Sequence, residues 1–309
     1  MGSVVSVIET ALPVFLALGL GMLCRSRNFL TREGIDALKK VVLNLTLPFV
    51  LLNAFATAEY SAAALILPIM MFGICCLALA LGFLIIRLFG MKSRLAPFLA
   101  SGFEAGMLGY ALFALLFPEE SISQFALPDI GQTLFVFTLY KTLLSGKRDI
   151  KAIAKDMATT PILWAVLVGV LIGATGLYGV MEQYHVSGIL DAATSFLSAP
   201  TGMIILLTVG YDLVIRDIPW KKTGGLIAMR LAVMAVCLGV MILLNRTILG
   251  GMLFEGAAVL MVLLPPPYVI PVFADEPNER VQISSALSAL TLICLLLFAV
   301  LSIFTGVQS

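Results

Sequence analysis

Residues 258–273, AVLMVLLPPPYVIPVF, form an apolar run broken at its centre by Pro265, Pro266 and Pro267. Three successive prolines lack N–H donors and cannot continue a helix, so carbonyls of the preceding turn lose their partners. Such carbonyls are not tolerated against lipid; they must face protein or a wet cavity. Apolar sequence on both sides favours a helix interrupted at membrane depth over an ordinary loop between two re-entrant pieces. A second interruption is SGFEAGMLGYALF at 101–113, where Glu104 stands among Gly102, Gly106 and Gly109. Gly102 to Gly106 is a literal GxxxG, which by itself can serve only to bring helices close. A close-packing face has no use for the carboxylate inside it.

The composition supplies the setting for both breaks. The chain has 309 residues, 61% hydrophobic and 12% charged, with a mean hydropathy of +1.08. Soluble domains carry about 25% charged residues, so the chain reads as a polytopic, all-α membrane protein whose first partner is the lipid bilayer. A net charge of +1 offers no basic face for nucleic acid. The five cysteines lie in or beside apolar segments without metal-ligand spacing, and His185 is the only histidine. No metal site and no cofactor are expected. Residues 1–24 read as a first span rather than a signal peptide, since they lack a basic start, contain Glu9 and end in Cys24-Arg25-Ser26-Arg27.

Stretches of about 20 apolar residues suffice to span. Ten are found, near 3–24, 36–57, 61–89, 95–117, 126–145, 160–180, 188–214, 222–245, 252–273 and 280–305. The odd-numbered connections and their flanks are basic: Arg25, Arg27, Arg32, Lys39 and Lys40; Arg87, Lys92 and Arg94; Lys147, Arg148, Lys151 and Lys155; Arg216, Lys221 and Lys222. The even-numbered ones carry Glu59; Glu119, Glu120 and Asp129; Glu182 and Asp191, with Arg246 their lone base. By the positive-inside rule the odd connections face the cytoplasm and both termini lie outside. The expectation is a multi-pass protein of the cell (inner or plasma) membrane.

Five spans per half is an odd number, so a repeat would be inverted. Pro13-Val-Phe-Leu-Ala17 returns as Pro161-Ile-Leu-Trp-Ala165, with Gly21 and Gly169 each eight residues past its proline. Pro48 answers to Pro200, and Asp129-Ile-Gly-Gln132 to Glu279-Arg-Val-Gln282; the three offsets are 148, 152 and 150 residues. Residues 1–147 and 148–309 are therefore expected to be inverted five-helix repeats, with spans 4 and 9 the broken pair, an organisation that belongs to secondary transporters.

These residues resemble the auxin efflux carrier family, which includes plant auxin carriers and bacterial carboxylate permeases. Asn44-Leu-Thr-Leu-Pro48-Phe-Val-Leu-Leu-Asn53-Ala is similar to its N-terminal signature. Glu104-Ala-Gly106-Met-Leu-Gly109-Tyr-Ala111 stands where the family has Asn-x-Gly-Phe-x-Gly-x-Pro, and Ala199-Pro200 and Pro265–Pro267 resemble its second-half landmarks. The resemblance implies a scaffold of spans 1, 2, 6 and 7, a mobile part of spans 3–5 and 8–10, and crossing broken helices 4 and 9. It also implies alternating-access transport of a small organic anion, a dicarboxylate or auxin-like acid. By position, Glu104, Gly106, Gly109, Pro265, Pro266 and Pro267 would line the substrate site.

Two positions depart from the pattern: the family's asparagine is Glu104 here and its proline is Ala111. An ionised glutamate repels a carboxylate substrate, so anion transport requires Glu104 to be protonated or paired with a cation. A carboxylate at membrane depth is protonated, paired or wetted. Arg230, eight residues past Lys222 and so about 12 Å along a helix, is the first candidate partner; Lys141 is the second. Glu104 is read as a proton-coupling site, a ligand for the amino group of a zwitterionic or cationic solute, or one half of a structural pair. Asn44 and Asn53 face either substrate or a neighbouring helix.

The rival classes are weaker. Gly210-Tyr211-Asp212 has part of an intramembrane aspartyl protease pair, but no second Gly-x-Gly-Asp segment supplies the partner. Catalysis is not expected. Without a Gly-x-x-x-x-Gly-Lys-Ser/Thr loop, gradients must drive any transport. A membrane sensor is a further alternative, and homodimer formation stays open.

Overall fold

A computed structural model describes residues 2–58, 66–90, 93–145, 159–213, 220–273 and 277–305, and every regular element among them is helical. In chain order these are α1 (Gly2–Ser26), α2 (Arg32–Val41), α3 (Leu47–Ala56), α4 (Ile66–Leu88), α5 (Ala96–Leu99), α6 (Tyr110–Leu116), α7 (Ser123–Phe135) and α8 (Lys141–Ser145). The second half holds α9 (Pro161–Ala174), α10 (Leu177–Gln183), α11 (Ser187–Ser198), α12 (Thr201–Asp212), α13 (Trp220–Thr247), α14 (Glu255–Leu263) and α15 (Pro277–Thr305).

Helical residues lie over each of the ten expected stretches. By length and apolarity alone, four helical segments qualify as membrane spans among the described residues: 66–88, 187–212, 223–247 and 278–302. Joining α9 to α10, which bend by 64°, adds a fifth. Of the other stretches, α1 runs unbroken from Gly2 to Ser26, while the rest are divided into shorter pieces. Three π-helical turns interrupt the first half, at Val42–Thr46, Ala105–Gly109 and Val136–Tyr140. Such turns leave the i→i−4 ladder locally and cluster at functional sites. The expected boundary between halves, at 147/148, lies outside the described residues, as do Glu59, Lys92, Lys147, Arg148, Lys151, Lys155 and Arg216.

Glycine sets the closest helix contacts. A Cβ on Gly21 of α1 would run into the Leu207 carbonyl of α12, and one on Gly210 into Leu18 of α1. A Cβ on Gly169 of α9 would stand 2.7 Å from Phe55 Cβ and 2.8 Å from the Leu52 carbonyl, both on α3. Gly131 of α7 leaves room for the Pro68 carbonyl of α4 in the same way. Helix backbones approach this closely only where side chains are absent.

Candidate functional site

The two interruptions meet. Between α5 and α6 the chain leaves helix at Ser101–Glu104, and after α14 it leaves helix at Leu264–Val269. Gly102 takes a φ of +67°, a left-handed conformation open to glycine at no cost, and it lies under Pro267, whose Cγ would be 3.1 Å from a Cβ there. Backbone joins backbone: the Glu104 N–H donates to the Pro265 carbonyl at 2.8 Å. The Tyr268 N–H returns a bond to Glu104 Oε2, also at 2.8 Å.

Arg230 holds this crossing from behind. It lies on α13 and is 1% exposed. Its Nη1 donates to the carbonyls of Gly102 (2.7 Å) and Leu99 (3.3 Å), and its Nη2 to that of Leu264 (2.9 Å). The interruptions strip those carbonyls of helical partners, and a planar guanidinium with five donors supplies replacements to both breaks at once. Gln132 on α7 adds a fourth tie, donating to the Phe103 carbonyl.

A cavity of about 840 Å³ starts at the crossing, where Glu104, Gly106, Pro267 and Tyr268 line it, and extends to Arg32, Lys39, Lys141 and Asp212. That far end belongs to the basic connections. There Arg32 and Lys39 both bind the Asp212 carboxylate, and Asp36 lies within reach of the same two cations at 3.6 and 3.9 Å. Lys141 stacks its ammonium 4.4 Å from the Phe137 ring centre.

The other residues marked by the sequence are spread around this space. Pro265 and Pro266 are buried in the second break, and Gly109 is packed under the Phe125 ring and Leu264. Asn44 is exposed and its amide donates to the Lys40 carbonyl at 2.8 Å; it does not line the cavity. Asn53 also lies off the cavity, its Oδ1 buried without a hydrogen-bond partner. Lys141 and Arg230 approach the crossing from different sides, one at the cavity mouth and one behind the breaks.

Sequence reasoning missed two sets of lining residues. Asp129, counted above among the acids of an outside connection, is instead inside α7, 5% exposed, and accepts from the Tyr110 hydroxyl at 2.7 Å. Its signal was available: Asp129, Gln132, Thr133, Val136 and Phe137 recur at helical spacing and all line the cavity. On α15, Ser284, Ser285, Ser288 and Thr291 form a second polar stripe, and the Thr291 hydroxyl pairs with that of Tyr268 at 3.0 Å.

An apolar helical chain enclosing a mostly apolar cavity that ends at two broken helices has the build expected of a membrane transport protein. The model of the family described as "Membrane transport protein" matches residues 6–154. Over 215 residues the chain is 27% identical to a protein of Methanothermobacter thermautotrophicus named "Uncharacterized transporter", an overlap covering 67% of this chain and 68% of that one. Both matches support a membrane transporter, the family model over residues 6–154 and the relative over about two thirds of the chain.

Proposed function

We propose that the chain is a gradient-driven secondary transporter that moves a small organic anion by alternating access, with protons as the coupling ion and Glu104 as a proton carrier. The observation that carries this reading is the cavity itself. It runs from a basic mouth to the point where two helix breaks meet, and Glu104 stands at its inner end. Arg32, Lys39 and Lys141 at the mouth favour the approach of anions. At the inner end a carboxylate substrate is tolerated once Glu104 is neutral.

In this reading the ten stretches are all spans, residues 1–147 and 148–309 are inverted repeats, and both termini lie outside. The cavity then opens to the cytoplasm. A two-fold axis that exchanges each span with the one five further on turns the pair 1–7 into the pair 6–2. The packing of α1 on α12 through Gly21, and of α9 on α3 through Gly169, supports that exchange. Spans 1, 2, 6 and 7 are the scaffold. Spans 3–5 and 8–10, tied together by Arg230 at the crossing, are the mobile part.

A second reading has its own support. Besides Asp212, which is paired with Arg32 and Lys39, the cavity is lined by two carboxylates, Glu104 and Asp129, and an amine would find them without any proton uptake. Thermal unfolding of the purified protein against monocarboxylates, dicarboxylates, amino acids and organic cations at pH 5 and pH 8 separates the two. A ligand at about ten times its dissociation constant adds roughly 1.4 kcal/mol. Stabilisation by carboxylates, larger at pH 5, supports the anion reading. Stabilisation by cations alone, lost in Glu104→Gln, replaces it with the second.

A further inference from the structure

Asp129 is a carboxylate that neither the resemblance nor the repeat places at the site. It is 95% withdrawn from solvent by its own 5% exposure, yet it belongs to the cavity wall. Its two oxygens are treated differently. Oδ2 accepts from Tyr110 at 2.7 Å, while Oδ1 is buried with no hydrogen-bond partner, the Thr133 hydroxyl one turn on being a further donor that acts on the carboxylate. A buried carboxylate oxygen left without a donor is costly, and the group is then retained for a function or neutralised.

The charges around the crossing make the same point. Arg230 brings one positive charge to it, and Glu104 and Asp129 two negative ones. Glu104 and Asp129 are near enough to act on each other electrostatically. Two carboxylates that share one low-dielectric site do not both ionise without cost, and a proton relieves it. The other ionisable groups facing Asp129 bring no positive charge: they are Tyr110 from α6 and Cys75 from α4. Neither α3 nor α14 turns an ionisable side chain toward it, since α3 has none and Glu255 of α14 pairs with Arg246 at the exposed end. Lys141 and Tyr268 stand across the cavity, Lys141 on the Phe137 ring at the mouth.

We propose that Glu104 and Asp129 together carry one exchangeable proton, with Tyr110 positioning Asp129 so that the proton is taken at Oδ1. This rests on the proton-coupled reading above and gives that coupling a second residue. Water in the cavity delivers the proton, an O–H bond forms at one of the two carboxylates, and that bond breaks to water when the cavity opens to the other side. A hard metal cation is the poorer fit, because it gathers about six oxygens. Among the described residues no group of three or more His, Cys, Asp or Glu side chains surrounds a common point.

The test is infrared difference spectroscopy of the purified protein between pH 5 and pH 8, with no solute added. The expected result is the carbonyl stretch of a protonated carboxyl at pH 5 that disappears by pH 8 and shifts in heavy water. Asp129→Asn and Glu104→Gln each remove or displace that band, and Tyr110→Phe shifts its frequency by withdrawing the O–H donor. If Asp129→Asn does not fold, the other two variants carry the test. A band that all three leave untouched overturns the proposal. So does stabilisation of the wild type by sodium over choline at equal ionic strength, abolished in Asp129→Asn, which would assign the charge to a metal ion. Because no solute is present, failure to transport would not move this result, and failure of this result would leave the solute panel intact.

Discussion

Glu104 and Tyr268 are bound to one another across two helix breaks: the Tyr268 N–H donates to Glu104 Oε2 at 2.8 Å, while the Glu104 N–H donates to Pro265, three residues before Tyr268. The side chain at position 104 is thus part of the fold of the crossing as well as of the cavity wall. The two roles separate by substitution. Glu104→Gln keeps an acceptor for Tyr268 and should unfold within about 1 kcal/mol of wild type, whereas Glu104→Ala leaves that N–H unmet and should cost about 1–3 kcal/mol. Thermal unfolding of both variants checks this. Equal losses would mean that the carboxylate charge, not the hydrogen bond, stabilises the crossing.

Arg230 should be the most sensitive side chain in the core. Arg230→Met removes the donors to Leu99, Gly102 and Leu264 together. Each buried carbonyl left unmet costs roughly 1–3 kcal/mol, so a loss above about 3 kcal/mol is expected. Arg230→Lys should recover only part, since one ammonium cannot span both breaks. Full recovery by lysine would show that charge, rather than the guanidinium's reach, holds them.

The proposed exchange of spans 1–7 and 6–2 predicts matched behaviour at Gly21 and Gly169. Alanine at either meets backbone of the opposite element and should destabilise by about 1–3 kcal/mol. Alanine at Gly19 or Gly239 meets nothing within 4 Å and should stay within about 0.5 kcal/mol. Unfolding of the four variants side by side decides the matter; silent substitutions at both Gly21 and Gly169 would remove the packing argument for the repeat.

At the mouth, Asp212 ties up Arg32 and Lys39. The pair is a third or less exposed on the Asp212 and Lys39 side and more open at Arg32, so it contributes under about 1 kcal/mol to stability. Its effect on entry should be larger. Asp212→Asn removes one of the two carboxylates facing Arg32 and Lys39, leaving Asp36, and should speed uptake of an anionic solute several-fold at low salt, an advantage that fades as salt rises. Faster uptake of a cation instead would reverse the sign of the steering.

The broken helices were legible because prolines and glycines state their constraints locally: Pro265–Pro267 deny donors, and Gly102 alone in its segment takes a left-handed turn without strain. The membrane setting was legible from charge content. Asp129 was overlooked, because a single aspartate near the start of an apolar stretch reads equally well as a connection acid, although its helical spacing with Gln132, Thr133, Val136 and Phe137 carried the signal. The hydrogen bond from Tyr110, nineteen residues earlier in sequence, places it in the interior. Arg230 was legible as an embedded charge, but its acceptors were not. They are main-chain carbonyls, which every residue has, and the fold alone selects three of them. The serines of α15 escaped notice for a related reason, since hydroxyls satisfy themselves within a helix and carry no signal of a cavity.

The most direct measurement is counterflow in proteoliposomes. Vesicles loaded with unlabelled succinate, lactate, glutamate or choline are diluted into a trace of the same labelled probe without ATP. The expected result is saturable, transient accumulation of a labelled carboxylate, faster at pH 5 than at pH 8 and reduced at least tenfold in Glu104→Ala. Flux that never saturates and shows no counterflow, or accumulation of choline alone, would contradict it.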